Sequence, residues 1–191
     1  MLKAQEFFSS FPVLETPRLR LRPLRLEDAQ QYYEMFNHPK SRQYLASEDI
    51  PYSVDAAIRE IEYWKGLFSR WESVFWGVAD LHDDILIGSI GFNTMHFANH
   101  RAEISYDLHH AHWRKGFMTE AMTVVLDLMF RDLGFNRVEA RTMQGNIPSQ
   151  TLLKKFGFSY EGLQRGYRVT GGKSIDVMLY AILKEEWVET A

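Results

Sequence analysis

HHAHWRKGFMTEAM, residues 109–122, sets two cations, Arg114 and Lys115, directly before Gly116 and the start of a helical pattern. A helix N-terminus already carries about half a positive charge from its aligned peptide dipoles, so uncompensated cations there cost roughly 0.3–1 kcal/mol each. An arriving anion reverses that sign. The first N–H groups of a helix have no intrahelical acceptor and form a ready anion site, with phosphate the usual occupant. Gly116 lacks a side chain and lets the backbone come close to a ligand. The stretch therefore reads as strand, anion-binding turn, helix. The competing reading is a tight strand-to-helix turn with exposed basic side chains. The longer phosphate signatures, G-x-G-x-x-G and G-x-x-x-x-G-K-[ST], are absent.

Outward from this turn the periodicity alternates between strand and helix. AEISYDLH (102–109) precedes it as a strand. Behind it, Ala121, Val124, Val125, Leu128 and Met129 recur at helical spacing, and Gly134 offers a C-cap. RVEARTM (137–143) reads as a strand. NIPSQTLLKKFGF (146–158) reads as a short helix with Pro148 in its first turn and Gly157 as its stop. FSYEGLQRGYRV (158–169) and SIDVMLYAIL (174–183) form two strands around Gly171-Gly172. Near the N-terminus, RLRLRPL (18–24) alternates strictly: Leu19 and Leu21 on one face, Arg18, Arg20 and Arg22 on a face read as solvated, with anion binding the alternative. Ala29, Tyr32, Tyr33 and Phe36 mark one helix. A second runs from Ser53, its N-cap, through Ile58, Ile61, Trp64 and Phe68 to Trp71. VFWGVADL (74–81) and ILIGSIGF (85–92) form a hairpin around the turn residues His82, Asp83 and Asp84. This order predicts a mixed sheet with helices, an α/β (α+β) fold.

The 191 residues favour one domain. With 46% hydrophobic and 25% charged residues the chain reads as an ordinary globular protein, and a net charge of −3 gives no field drawing it to nucleic acid or an anionic membrane. The absence of cysteine excludes disulfides, thiolate metal sites and a cysteine nucleophile. The N-terminal stretch MLKAQEFFSSFPVLETP lacks the apolar run and cleavage site of a signal peptide, and no stretch is long and apolar enough to span a bilayer, so the expected compartment is the cytoplasm.

Four segments in order, LETPRLRLRPL (14–24), AEISYDLHHAHWRKGFMTEAM (102–122), RVEARTMQGNIPSQTLLKKFGFSYEG (137–162) and GKSIDVMLYAILKEEW (172–187), together resemble the GNAT acetyltransferase superfamily. The spacing of Asn146, Ser149 and Gly157-Phe158 resembles its RimJ/RimL-type branch of ribosomal-protein N-terminal acetyltransferases. The resemblance implies one GNAT domain over residues 1–191. Its mostly antiparallel sheet would have about seven strands flanked by about four helices, splayed between the fourth and fifth strands. It implies that the anion is the pyrophosphate of acetyl-CoA, the co-substrate, and that a primary amine attacks directly in a ternary complex. In this branch the acceptor is a protein N-terminal α-amine, as of a ribosomal protein.

By the same resemblance, the turn follows the pattern [RQ]-x-x-G-x-[GA]. Trp113 takes the first position, as is usual for this branch, and Met118 the last, where a small residue is usual. Arg114, Lys115, Gly116, Phe117, Met118 and Thr119 would hold the pyrophosphate. Asp107, Leu108 and His109 would pair their backbone with the pantetheine arm, a backbone N–H near Leu108 would steady the carbonyl oxygen as it becomes an oxyanion, and Asn146 would contact the cofactor or cap its helix. Glu103 falls where family members carry a glutamate base acting through water, with Asp107 the runner-up. The tyrosine that often serves as acid is replaced here by Leu153, and Ser149 takes the place near the sulfur. The plain structural alternatives are a surface carboxylate for Glu103 and a hydroxyl bonded to local backbone for Ser149.

His110 and His112 would share a strand face, but no third ligand has recognisable spacing, so no metal is expected and they are read as lining the cleft mouth. His38, His96 and His100 read as loop residues. Two rival functions remain at this stage. One is a small-molecule amine acetyltransferase acting on polyamines, antibiotics or amino acids. The other is a non-catalytic acyl-CoA-binding regulator, which the departures at Leu153 and Met118 favour. Acceptor specificity is expected in the two early helices and in QRGYRVTGGKS (164–174), where no code is legible. The chain is expected to be a monomer or homodimer.

Overall fold

The computed structural model describes residues 4–187. In chain order its elements are α1 (Ala4–Phe7), β1 (Leu14–Glu15), β2 (Leu19–Pro23), α2 (Ala29–Asn37), α3 (Pro39–Arg42), α4 (Val54–Ser69), β3 (Phe75–Asp80), β4 (Leu86–His96), β5 (Arg101–Leu108), α5 (Phe117–Asp127), β6 (Arg137–Met143), α6 (Ile147–Lys155), β7 (Ser159–Thr170) and β8 (Lys173–Leu183). The strands form one sheet of order β1-β2-β3-β4-β5-β6-β8-β7. Every neighbouring pair is antiparallel except β5 and β6.

That exception places the site. β5 and β6 pair only from Arg101 opposite Arg137 to Ile104 opposite Ala140. Beyond Ile104, β5 stays with β4 as far as Leu108, and β6 stays with β8 as far as Met143. The two strands therefore part, and the ends of both face a gap. This is the expected splay. The sheet has eight strands, not seven, because the two-residue β1 adds an edge. Among the described residues there are six α-helices where four were expected: α1 and α3 are four-residue pieces, too short to show a period.

Apolar side chains fill both sides of the sheet. Met118, Ala121, Met122, Val125 and Leu126 of α5 belong to one buried cluster together with the strands. Tyr32, Met35 and Phe36 of α2 pack with Ala57 and Ile61 of α4 in a second. Ser53 caps α4 as its position predicts, its hydroxyl accepting from the Ala56 N–H at 3.1 Å. The helical run after Gly116 continues through a π-helical turn, Leu128–Asp132, before Gly134 takes left-handed φ at 68°. β4 extends four residues past the expected end because a bulge between Phe92 and Thr94 shifts its alternation and hides the strand from a period-2 reading.

RLRLRPL needs correction. Leu19 and Leu21 are buried as expected, but Arg22 is only 2% exposed. Its guanidinium donates to both carboxylate oxygens of Asp28, at 2.8 and 2.9 Å, and to Asp84 at 3.0 Å. A buried arginine is tolerated where its donors meet carboxylates in this forked geometry. Asp28 lies six residues on, after a chain reversal, so alternation alone gives no sign of the pair. No helix among the described residues is long and apolar enough to cross a membrane.

Candidate active site

The turn after β5 is built by local constraints. His110–His112 form a short 3-10 turn, Trp113 is extended, and Arg114 and Gly116 take left-handed φ of 60° and 82°. The Trp113 indole N–H donates to the Leu108 carbonyl at 2.7 Å and ties the turn to the end of β5. Arg18, expected on a solvated face, braces it from β2's side. It donates to the Lys115 carbonyl at 3.0 Å and to Glu120 at 2.7 Å, and its guanidinium lies 4.5 Å from the centre of the Phe117 ring. Glu120, in the first turn of α5, supplies the negative charge that offsets the cations. A Cβ added to Gly116 would meet only Arg18 Nη2, at 3.4 Å, so the backbone there is open.

Beside this turn lies a cavity of about 720 Å³. Arg114, Gly116, Phe117, Met118 and Thr119 line one end, and Met35, Phe36, Leu45 and Leu152 supply apolar wall. The unsatisfied first N–H groups of α5, a cation and an apolar channel suit a ligand with phosphates and a long weakly polar arm. Asp107, Leu108 and Asn146 also line the cavity; Lys115 and His109 do not. The backbone N–H of His109 already donates to the Ile87 carbonyl at 2.8 Å, closing it to the ligand pairing expected of it. Met118, the departure from the family pattern, is 7% exposed and packs its side chain into the core.

A second recess of about 590 Å³ lies against the first. Tyr106, Asp107, Asn146 and Ser149 line both, so they mark the junction at the mouth of the splay. Asp107 is half-buried, and its side chain makes no hydrogen bond or ion pair among the described residues. Burial, reinforced by the charges of Asp49 and Glu60, pushes its carboxyl up to about 7. Glu103 sits in the recess but is engaged: Arg141 pairs with it at 2.5 Å, and Asn93 donates to it at 3.3 Å. The Ser149 hydroxyl lies 2.8 Å from the Tyr106 hydroxyl, and the Ser149 N–H donates to Asn146 Oδ1 at 3.1 Å. Asn146 thus caps α6 while lining both spaces. Burial pushes the Tyr106 phenol well above its ordinary value, so it stays protonated at working pH. Leu153, in the position of the family tyrosine, is fully buried in the core.

Tyr106 and Glu60 are the residues that sequence reasoning missed. Alternation puts Tyr106 on one face with Ile104 and Leu108, but nothing in the sequence says that its hydroxyl reaches Ser149, 43 residues away. Glu60 reads as a polar position of an amphipathic helix. In the structure it faces the recess and accepts from the Tyr32 hydroxyl at 3.0 Å. The histidines differ from expectation as well. His110 and His112 lie in the 3-10 turn, not on a strand face, and the His110 ring stacks on His38 at 3.4 Å. Burial lowers the pKa of both. His38 caps α3, and His96 ends β4. Among the described residues, no group of three or more His, Asp or Glu side chains is placed to hold a metal ion.

Comparison with known proteins agrees with this architecture. Residues 18–159 match the family model described as an acetyltransferase (GNAT) domain. An uncharacterized N-acetyltransferase of Bacillus subtilis, YoaA, is 34% identical over 91% of this chain and 98% of its own. The [ribosomal protein uS5]-alanine N-acetyltransferase of Escherichia coli is 30% identical over 63% of each chain. The solved structure of RimL, a ribosomal L7/L12 α-N-protein acetyltransferase in complex with coenzyme A, superposes with a TM-score of 0.79 at 18% identity, covering 90% of this chain and 98% of that one. Sequence, sheet and parted strands converge: the chain belongs to the GNAT family and is an acetyl-CoA-dependent N-acetyltransferase.

Proposed function

We propose that the acceptor is a protein N-terminal α-amine, with a ribosomal-protein terminus as the leading candidate, and that Asp107 takes its proton. The observation that carries this reading is the unpaired carboxylate of Asp107 at the junction of the two spaces. A buried charge without a partner is costly. Glu60 adds a second carboxylate without a cation partner to the same recess, and burial raises its pKa. An entering ammonium group compensates both. The E. coli relative named for alanine of uS5 supports the protein acceptor. Acetyl-CoA-dependent work on ribosomal proteins fits a cytoplasmic site of action.

Acetyl-CoA supplies an acetyl thioester. Arg114 and the Gly116–Thr119 backbone hold its phosphates, with Lys115 contributing charge from outside the cavity. Asp107 and Leu108 flank its arm. Asp107 removes the proton that the amine loses as the new C–N bond forms. As the C–S bond breaks, the Ser149–Tyr106 hydroxyl pair gives the departing sulfur a proton and recovers one from solvent. Glu103 orients Arg141 and the recess wall. An α-amine with a pKa near 7.7–8.0 is roughly one part in ten neutral at pH 7, so a carboxylate of pKa about 7 is a matched base.

The test is mass spectrometry of peptides with free serine or alanine N-termini, the same peptides blocked at the N-terminus, and free polyamines and amino acids. Acetylation of the free N-termini, with the blocked peptides left unmodified, supports the proposal. Acetylation of small amines alone would move the assignment to that reading, and acetyl-CoA binding without transfer to any amine would support the regulator.

A further inference from the structure

The loop expected to set acceptor specificity, residues 164–174, touches the connection between the two early helices. A 3-10 turn, Ser47–Asp49, lies between α3 and α4. The tip of the β7–β8 hairpin reaches it across the sheet's open end. Arg168 Nη2 donates to Asp49 Oδ1 at 2.6 Å, the Ser47 N–H donates to the Thr170 hydroxyl at 3.0 Å, and the Gly171 N–H donates to Glu48 at 3.0 Å. The Ser47 and Thr170 hydroxyls are 2.8 Å apart. Glu48, Asp49, Tyr167 and Arg168 all line the second recess. Its other end opens at Asp107 and Ser149, toward the space that fits the cofactor. Ser47, Glu48 and Gly171 are exposed, so the bridge lies on the solvent side of the recess.

We propose that this bridge, Ser47–Asp49 against Arg168–Gly171, is a gate that sets acceptor size: it must part to admit a polypeptide N-terminus, while a small amine fits behind it. The inference rests on the protein-acceptor reading above and adds what that reading leaves out, the route of the chain. A peptide that presents its first residue at Asp107 has to continue outward to solvent. A chain needs about 4.8 Å to each backbone neighbour it passes between. Groups in direct hydrogen bond leave no such space.

The bridge is built to open. Its Ser47 and Gly171 hydrogen bonds are solvent-exposed and its ion pair is only part-buried, and contacts open to solvent are weak and screened by salt. The hairpin tip carries Gly166, Gly171 and Gly172 at positive φ, and its register with β8 is broken between Gln164 and Arg168. These features give the tip backbone freedom without disturbing the paired part of the hairpin.

The chain has no cysteine, which allows a clean test. In the double variant Ser47→Cys/Thr170→Cys the new thiols stand close enough to form a disulfide across the bridge. Acetylated product is followed by mass spectrometry for a peptide with a free N-terminus and for a small primary amine, in the oxidised and reduced forms of the same protein. Acetyl-CoA-induced thermal shift serves as the check on folding. The expected result is loss of peptide acetylation by roughly tenfold or more on oxidation and its return on reduction, with thermal shift and small-amine turnover unchanged. Equal peptide acetylation in both forms would overturn the gate and send the chain out by another route. A reduced protein that acetylates no peptide would overturn the protein-acceptor reading and this inference with it.

Discussion

Asp107 carries the heaviest assignment at the scale of single residues. Its carboxyl, raised to about 7 first by burial and then by Asp49 and Glu60, is the ionised base only at neutral pH and above. Asp107→Asn is expected to lower kcat by roughly 10²–10⁴-fold and to remove the pH limb near 7, leaving only the titration of the amine itself. The same shift makes a stability prediction of opposite sense. A group whose folded-state pKa lies above its unfolded value disfavours the fold once it is ionised. The deficit is absent below about pH 4, grows as pH rises toward 7 and is constant beyond. Asp107→Asn should therefore raise the melting temperature at pH 8 and leave it unchanged at pH 4, the gain being on the order of a few kcal/mol at most. Melts of both proteins across that range check it. Ser149→Ala should lower kcat while leaving acetyl-CoA binding intact, and Tyr106→Phe should share part of that loss because the two hydroxyls are one hydrogen-bonded unit. Glu103→Gln, which weakens the pairing with Arg141, should cost more in stability than in kcat. Steady-state kinetics and thermal melts on the three variants separate these outcomes.

At the scale of the element, the turn from β5 to α5 is held from outside as much as from within. Arg18 reaches it across the chain, so Arg18→Ala should loosen the turn and weaken acetyl-CoA binding by roughly tenfold, about 1.4 kcal/mol, with little change in kcat at saturation. Calorimetric titration measures it directly. The turn also shows where sequence was readable. Gly116 before an apolar helical period named the element, because glycine at positive φ and a period of 3.6 are local properties. The role of Arg18 was not readable, because its partners lie roughly a hundred residues away and alternation only says which face it leaves from. Arg22 repeats the lesson: the pattern places it outward, and a carboxylate from a later turn meets it there and excludes water. Short pieces such as α3 and β1 escaped for a different reason, since four or two residues cannot display a period.

At the scale of the whole molecule, one parallel pair in an otherwise antiparallel sheet produces the splay, and the splay joins two spaces at Asp107 and Ser149. Periodicity made the order of elements legible, and the resemblance to the GNAT superfamily was what anticipated that opening. The choice between Glu103 and Asp107 was not legible. The two share a strand face, and only the packing of α2, α4 and β6 decides which carboxylate is paired and which is left bare. A ligand that binds only the folded chain stabilises it, so acetyl-CoA at a hundredfold excess over its dissociation constant should stabilise the fold by about 2.7 kcal/mol. Thermal melts with and without the ligand test that. The central claim is that the junction passes an acetyl group from acetyl-CoA to a free α-amine with Asp107 as base. Its most direct test is the pH dependence of kcat/KM, followed by mass spectrometry on a peptide with a free N-terminus, for the wild-type protein and Asp107→Asn. The expected product carries one acetyl group on the α-amine, at a rate that in the wild type rises with both the carboxyl near 7 and the amine, and in the variant is low and follows the titration of the amine alone. Equal rates with identical pH profiles would contradict it.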